Sequence, residues 1–232
     1  MKETVVFSIG NTNVRYGIFS GSKLEKSGIY TESLKDKIKK TSYEKAFMIS
    51  VNKRKEKIFL ENYRDESVIK LQKANKVINS EYDVKMLGID RFVAIVKCLK
   101  EKTYPALLID TGTADTFDYI DGYGVHKGGF ITPGLTTMAR SLEKFTSVLK
   151  ETEPEDGGLK IGKNTSEAMK YGIYTVWVTG ILSFCAMFKN KEPKCRFIIM
   201  GGNSARLKDY ITEAIVDSDY LLKAIYEYGA GV

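Results

Sequence analysis

Two short turns and one helix entrance hold the residues whose types and spacing could bind an anion and move a proton. Ser8-Ile9-Gly10-Asn11-Thr12-Asn13 separates two apolar runs near the start of the chain. Gly10 lets the backbone come close to a ligand. Successive N–H groups there can face phosphate oxygens, and the Asn11 and Thr12 side chains add hydrogen bonds. Arg15 lies just beyond and can reach the same anion. The second turn, Asp110-Thr111-Gly112-Thr113-Ala114-Asp115-Thr116, ends another apolar run. A carboxylate at a strand mouth, here Asp110, can hold a cation near phosphates. Gly112, Thr113 and Thr116 offer backbone and hydroxyl groups. Either turn alone is also a plain hairpin, because Gly and Asn are common turn residues. The recurrence of the turn carries the weight.

Leu87-Gly88-Ile89-Asp90-Arg91 opens a helical stretch. Asp90 is either a helix cap with Arg91 as its surface partner, or a carboxylate base facing a substrate hydroxyl with Arg91 on an anionic group. Spacing leaves both open. GGFITPGL (128–135) suits tight packing and a loop that approaches phosphate. In GKNTSEAMKYG (162–172), Thr165 is placed to cap a helix. MGGNS (200–204) is either a strand-to-helix turn or a rest for a nucleotide base or ribose. His126, the single histidine, has no acid or serine partner nearby in sequence and reads as structural or cleft-lining.

The elements that must position these residues recur. The opening reads as a β-meander through residue 30, then a short helix over SLKDKIKK, and a buried strand AFMISV (46–51). A helix follows over KRKEKIFLENYR with Ile58, Leu60 and Tyr63 toward the core, then a strand near VIKLQ (68–72) and a helix over 90–102. ALLIDTGTADTFDYIDGYGVHKGGFI (106–131) then restarts the meander. Helices are expected over LTTMARSLEKFTSVL and 164–188, then a strand RFIIM (196–200) and two short helices. This is a duplication at domain size, not a solenoid period. It predicts an α/β chain of two domains, 1–104 and 105–232, facing each other across a cleft and divided near Tyr104-Pro105.

Bulk properties narrow the chemistry. The chain has 232 residues, ample for a sizeable core. The three cysteines form no CxxC pair, which argues against zinc, iron–sulfur or disulfide frameworks and suits a reducing cytoplasm. The net charge of +7 comes from lysine runs interrupted by acids and lacking an aromatic stacking pattern. A solvated surface is expected rather than a nucleic-acid interface. The N-terminus carries no signal-peptide pattern. The apolar stretch 171–188 is punctuated by Tyr, Thr, Ser and Gly, and reads as a core helix rather than a membrane span.

Taken in order, GNTN (10–13), YDVKMLGIDR (82–91), DTGTADTFD (110–118), GGFITPGL (128–135) and NTSEAMKYG (164–172) resemble a type III pantothenate kinase over nearly the whole chain. The resemblance implies the fold of the acetate- and sugar-kinase, heat-shock chaperone and actin superfamily: two duplicated ribonuclease-H-like domains of the actin-like ATPase type around a central cleft. It implies ATP-dependent phosphorylation of pantothenate, the first step of coenzyme A synthesis, in a cytoplasmic homodimer with no nucleic-acid or membrane partner. Asp90 would accept the proton of the pantothenate hydroxyl. Tyr82, Gly88, Ile89, Arg91 and Thr165 would line the substrate site. Ser8, Gly10, Asn11, Thr12, Asn13, Arg15 and Thr113 would hold ATP phosphates, with Mg2+ or another divalent cation neutralising them. Asp110 would bind K+ or NH4+.

The sequence departs from the family pattern at three places. The family motif D-x-G-N-T has Ser8 here in place of its acid, and a neutral hydroxyl is a poor substitute as a ligand for a hard cation. Tyr82 is followed by DVKM rather than Asn-Pro. Arg15 replaces a common lysine. Ser8 leaves three readings: an active kinase whose metal site has shifted to Asp110 or Asp115, a weakened kinase, or an inactive relative that binds a ligand or protein partner as a regulator. A small-alcohol kinase of the same superfamily is disfavoured by LGIDR and GGFITPGL.

Overall fold

The computed structural model describes residues 3–39, 43–63, 65–74, 77–158 and 160–231. The last residues of the helices expected over 33–40 and 53–64, Lys40 and Arg64, lie outside them. The chain forms two compact units. The first comprises the chain through Thr103, residues 124–127 and the chain from Asp219; the second comprises residues 104–123 and 128–218.

The first unit opens with an antiparallel meander, β1 (Glu3–Ile9), β2 (Val14–Ser20) and β3 (Lys23–Ile29). A short helix α1 (Lys35–Lys39), strand β4 (Lys45–Ser50), helix α2 (Lys53–Tyr63), strand β5 (Val68–Lys70) and helix α3 (Ile89–Lys100) follow. The sheet order is β3-β2-β1-β4-β5, with β4 parallel to β1 and β5 parallel to β4. Alternation along the strands sends side chains to two faces. Val5, Phe7 and Ile9 face a cluster with Ile38 of α1 and Phe59 and Tyr63 of α2. The opposite face of β1 and β4 is covered by α3 and by the last helix, α6 (Tyr220–Ala230), which pack on each other and on the sheet. Gly229 sits where any Cβ would press within 2.6 Å of the Phe47 ring, so glycine is what lets α6 close onto β4.

The second unit repeats the plan. Strands β6 (Ala106–Thr111), β7 (Ala114–Ile120) and β8 (His126–Pro133) form its meander. Helices α4 (Leu135–Phe145) and α5 (Thr165–Lys191) follow, then β9 (Arg196–Met200) and β10 (Ile215–Val216). The sheet order is β10-β9-β6-β7-β8, with β6–β9 and β9–β10 parallel. Numbered within each unit, both sheets therefore read 3-2-1-4-5. That shared order is the duplicated ribonuclease-H-like fold. One face of β6, β7 and β9 packs Leu107, Ile109, Phe117 and Phe197 against Trp177, Val178 and Ile181 of α5.

The elements correct several expectations. In α2 the core contacts are Phe59 and Tyr63, while Ile58 and Leu60 are 48% and 39% exposed. Phe59 and Tyr63 are one turn apart and stack at 5.2 Å, which rotates the buried face by one residue from the expected one. Helix α4 stops at Phe145, with Thr146 extended. One of the two short helices expected after β9 is a single 3-10 turn, Ser204–Leu207, followed by β10, a strand of two residues that is too short to leave a period. The helix over 164–188 is longer, 27 residues, and is the one helix among the described residues long and apolar enough to cross a membrane by length and composition. Its buried stripe, including Ile173, Trp177, Ile181 and Cys185, carries the core of the second unit.

Candidate functional site

The turn between β1 and β2 is closed by a hydrogen bond from the Gly10 amide to the Asn13 carbonyl, 3.0 Å. Asn11, Thr12 and Asn13 are exposed at its tip. Residues not anticipated from sequence flank it. Asn52 caps the start of α2, accepting from the Lys55 amide at 3.0 Å, and its amide nitrogen donates to Asn11 Oδ1 at 3.2 Å. The Lys55 ammonium reaches back to the Thr12 carbonyl. A helix N-terminus and a lysine thus stand beside the turn, and both favour an anion there. Lys55 is far from the turn in sequence, and only the parallel β1–β4 pairing delivers it.

Ser8, one residue before the end of β1, is nearly buried, 9% exposed, directly opposite Arg15 on β2 and on the same sheet face. The Arg15 guanidinium donates to Asp219 Oδ1 at 2.7 Å, and Ser27 Oγ donates to Asp219 Oδ2 at 3.0 Å. Arg15 is therefore already engaged by a carboxylate at the entrance of α6, so any anion it holds shares it with Asp219.

The second group lies on the stretch that enters α3. Gly88 is the N-cap, and Asp90 is the second residue inside the helix, so Asp90 is not its cap. Asp90 Oδ1 accepts the Arg91 amide at 2.8 Å, and a Cβ on Gly88 would collide with that oxygen. The absence of a side chain at Gly88 is what leaves room for the carboxylate. Arg91 is not a surface partner: it is 8% exposed, with its guanidinium 5.3 Å from the centroid of the Tyr82 ring. Buried cation–aromatic contacts of this kind orient the guanidinium. The loop before Gly88 is gathered by Lys73, whose ammonium donates to the carbonyls of Val84, Lys85 and Leu87 at 2.6, 2.8 and 2.6 Å. Nothing in the sequence pattern singled out Lys73. His126 is fully buried and meets Ser80, distant in sequence, at 2.8 Å.

In the second unit, Asp110 and Asp115 lie on opposite faces of the β6–β7 hairpin, because Asp110 pairs with Thr116 and Asp115 with Thr111. Gly201, in the left-handed region at φ 92°, approaches Asp110 so closely that any Cβ would strike its carboxylate. Thr113 is exposed at the turn, and its carbonyl accepts from the Gly134 amide at 3.1 Å and from Thr137 Oγ1 at 2.5 Å. The turn is thereby tied to the start of α4. Asp115 is fully buried beneath it. Its Oδ2 accepts the Trp177 indole N–H at 2.6 Å, while Oδ1 has no hydrogen-bond partner. Burial pushes its carboxyl up to about 7; the Asp110 charge adds to this, and the Trp177 and Gly112 donors oppose it. Thr165 is the first residue of α5, not its cap. Asn164 is the cap: its Oδ1 accepts the Glu167 amide, and Glu167 reciprocally accepts the Lys163 amide, both at 2.9 Å. Asn at this place leaves the Thr165 hydroxyl exposed and unneeded for capping. Among the described residues no cluster of three or more His, Cys, Asp or Glu forms a ready metal centre.

Comparison with known proteins gives the family. The model of the type III pantothenate kinase family matches residues 4–186. Relatives named type III pantothenate kinase include one from Hahella chejuensis, 35% identical over 126 residues, a match spanning 54% of this chain and 51% of that protein. Another from Gloeobacter violaceus is 29% identical, covering 89% of this chain and 88% of its own. A third, from Thermosipho melanesiensis, is 28% identical and covers 97% of each. A solved Campylobacter jejuni structure described as a Baf family transcriptional activator is 23% identical, with a TM-score of 0.63 over 98% of both chains, and shares the fold. The family model spans both hairpin turns, the Gly88–Arg91 helix entrance and the start of α5, and on that ground the chain belongs to the type III pantothenate kinase family of enzymes.

Proposed function

We propose that the chain phosphorylates pantothenate with ATP to give 4'-phosphopantothenate, in the cytoplasm and as a homodimer. The observation that carries this reading is the α3 entrance: a half-exposed carboxylate, Asp90, given room by Gly88, next to a buried Arg91 whose guanidinium lies over the Tyr82 ring. A carboxylate so placed suits a general base for an alcohol, and the guanidinium suits an anionic group. Tyr82, Gly88, Ile89 and the exposed Thr165 hydroxyl are assigned to the substrate beside Asp90 and Arg91. Asp90 takes the hydroxyl proton as the oxygen attacks phosphorus. The transfer itself requires alignment and charge neutralisation more than covalent help from the protein.

Ser8, Gly10, Asn11, Thr12, Asn13, Arg15 and Thr113 are assigned to the ATP phosphates. The Gly10 turn fits an anion because its tip is open and Lys55 stands beside it. A divalent cation, Mg2+ by preference, supplies charge neutralisation when bound with ATP. Asp110 is assigned to a monovalent cation, K+ or NH4+, because a carboxylate at the mouth of β6 can hold a cation near phosphates. The exposed apolar residues Val176 and Met187 on α5, 64% and 61% exposed, support self-association. Ser8 favours a second reading, a relative that binds ligand or a protein partner without turnover, because a buried neutral hydroxyl stands where the family pattern has an acid.

The test is ADP release with pantothenate, Mg2+ and K+, for the chain beside Ser8→Asp. Pantothenate-dependent release by either protein supports the kinase reading. Turnover by the variant alone marks this chain as crippled at the metal site. Pantothenate-dependent release by neither protein overturns the substrate assignment and moves the second reading ahead.

A further inference from the structure

The surroundings of His126, the one histidine of the chain, give it a more specific role than a structural or cleft-lining one. Residues 124–127 belong to the first unit, where they bridge to the stretch that carries Tyr82. The His126 amide donates to the Asn79 carbonyl and the Glu81 amide donates to the His126 carbonyl, both at 2.9 Å. Lys127 pairs with Glu81 alongside. The imidazole is fully buried, with Nδ1 2.8 Å from Ser80 Oγ. Ser80 Oγ in turn touches both ends of one residue: it accepts from the Tyr82 amide at 3.1 Å and lies 3.0 Å from the Tyr82 carbonyl.

The donor count around that hydroxyl is decisive. A serine hydroxyl has one proton to give and two lone pairs to accept with. It accepts once from the Tyr82 amide. If it gave its proton to His126, the Tyr82 carbonyl would lose its bond. If His126 presents Nδ1–H, the hydroxyl accepts twice and donates to the Tyr82 carbonyl, and all three contacts are made together. The geometry points to that tautomer. We infer that His126, donating through Nδ1 to Ser80, is a positioning residue that locks the backbone of Tyr82 and so holds its ring against Arg91 in the wall of the pantothenate site. The centroid of the Tyr82 ring lies 6.1 Å from that of His126 and 5.3 Å from the Arg91 guanidinium, so the ring neighbours both. Loss of the lock leaves the Tyr82 ring free to leave Arg91, which then loses its orientation toward an anionic substrate group. The ATP-binding turn at Gly10 has no part in this network.

This inference rests on the pantothenate reading, and the experiment separates the two. Pantothenate binding is measured by calorimetry and KM is measured for pantothenate and for ATP, with melting temperature, for the unaltered chain, Ser80→Ala, His126→Phe, His126→Asn and the double variant Ser80→Ala/His126→Phe. His126→Asn keeps a donor near the Nδ1 position. The expected result is a rise of about tenfold in pantothenate Kd and KM for Ser80→Ala and His126→Phe, the order of one hydrogen bond. ATP KM should stay within about twofold, His126→Asn should recover most of the loss, and the double variant should be no worse than the worse single one. Equal losses for both substrates, no recovery by Asn, or unchanged pantothenate affinity in Ser80→Ala overturns the inference while leaving the function intact. If His126→Phe does not fold, Ser80→Ala and His126→Asn still decide. Failure of the unaltered chain to bind pantothenate at all refutes the functional reading and this inference with it.

Discussion

Replacing Asp115 by Asn removes a titrating group from the core of the second unit without changing its size. Unfolded, the carboxyl has the ordinary value of 3.8; folded, burial pushes it up to about 7. Between those values the native state holds a proton that the unfolded state has released. Stability therefore falls as pH rises through this window and levels off above it. A gap of about three pH units at about 1.4 kcal/mol each corresponds to roughly 4 kcal/mol. Asn cannot ionise and can still accept the Trp177 indole hydrogen bond. The variant should match the parent near pH 4 and exceed it by up to about 4 kcal/mol near pH 8. Urea unfolding across that range, read as the difference between the two proteins, isolates this group from all others that titrate. Trp177 is the only tryptophan and donates directly to Asp115, so its fluorescence gives a local second readout. The parent's emission should titrate with a midpoint near 7 and the variant's should not. Parallel stability curves from pH 4 to 8, with a flat Trp177 emission, would show that Asp115 is ionised throughout and that the orphan Oδ1 has found a partner.

Other substitutions test the first unit and the cation-binding assignment. Gly88→Ala should push the Asp90 carboxylate away from the Arg91 amide and lower kcat by at least about tenfold, while costing about 1 kcal/mol in urea unfolding, because Ala is a poorer N-cap than Gly; unchanged kcat would mean that Asp90 acts from another rotamer. Lys73→Met removes three ammonium–carbonyl bonds and should destabilise by about 2 kcal/mol and raise pantothenate KM, since the Val84–Leu87 loop leads straight to Gly88. Lys55→Ala should raise the KM for ATP several-fold at low salt, with the difference shrinking as ionic strength rises; a salt-independent effect would argue against a phosphate contact. Gly201→Ala should abolish K+ stimulation and also cost stability, because residue 201 sits at φ 92° and its Cβ would strike Asp110.

Much of the architecture was legible in the chain because periodicity survives where elements are long or alternate strictly. Val5, Phe7 and Ile9 alternate inward, and the same pattern restarts at Leu107 and Ile109, so both meanders and the duplication could be read directly. The helix face of α2 was misjudged because Ile58, Phe59, Leu60 and Tyr63 offer two overlapping apolar faces, and only the aromatic cluster around Phe7 selects one. The two-residue β10 carries no period at all. The return of α6 to the first sheet was equally invisible, since an amphipathic helix does not state which sheet it covers.

The candidate site divides along the same line. Gly10, Asn11, Gly88, Asp90, Asp110 and Thr113 stood out because their chemistry is local: a glycine, a hydroxyl or an acid next to the end of an apolar run says what it can do without knowledge of its neighbours. By itself the sequence determined these turns, the duplicated plan and the family. Only the tertiary structure decided that Arg15 is held by Asp219, that Arg91 is buried against Tyr82, that Lys55 and Lys73 serve loops distant in sequence, and that His126 meets Ser80. Each of those is a contact between groups that neither a helical nor a strand period brings together. Such pairings depend on sheet register and helix packing, which fix distances of a few ångströms that no spacing along the chain encodes.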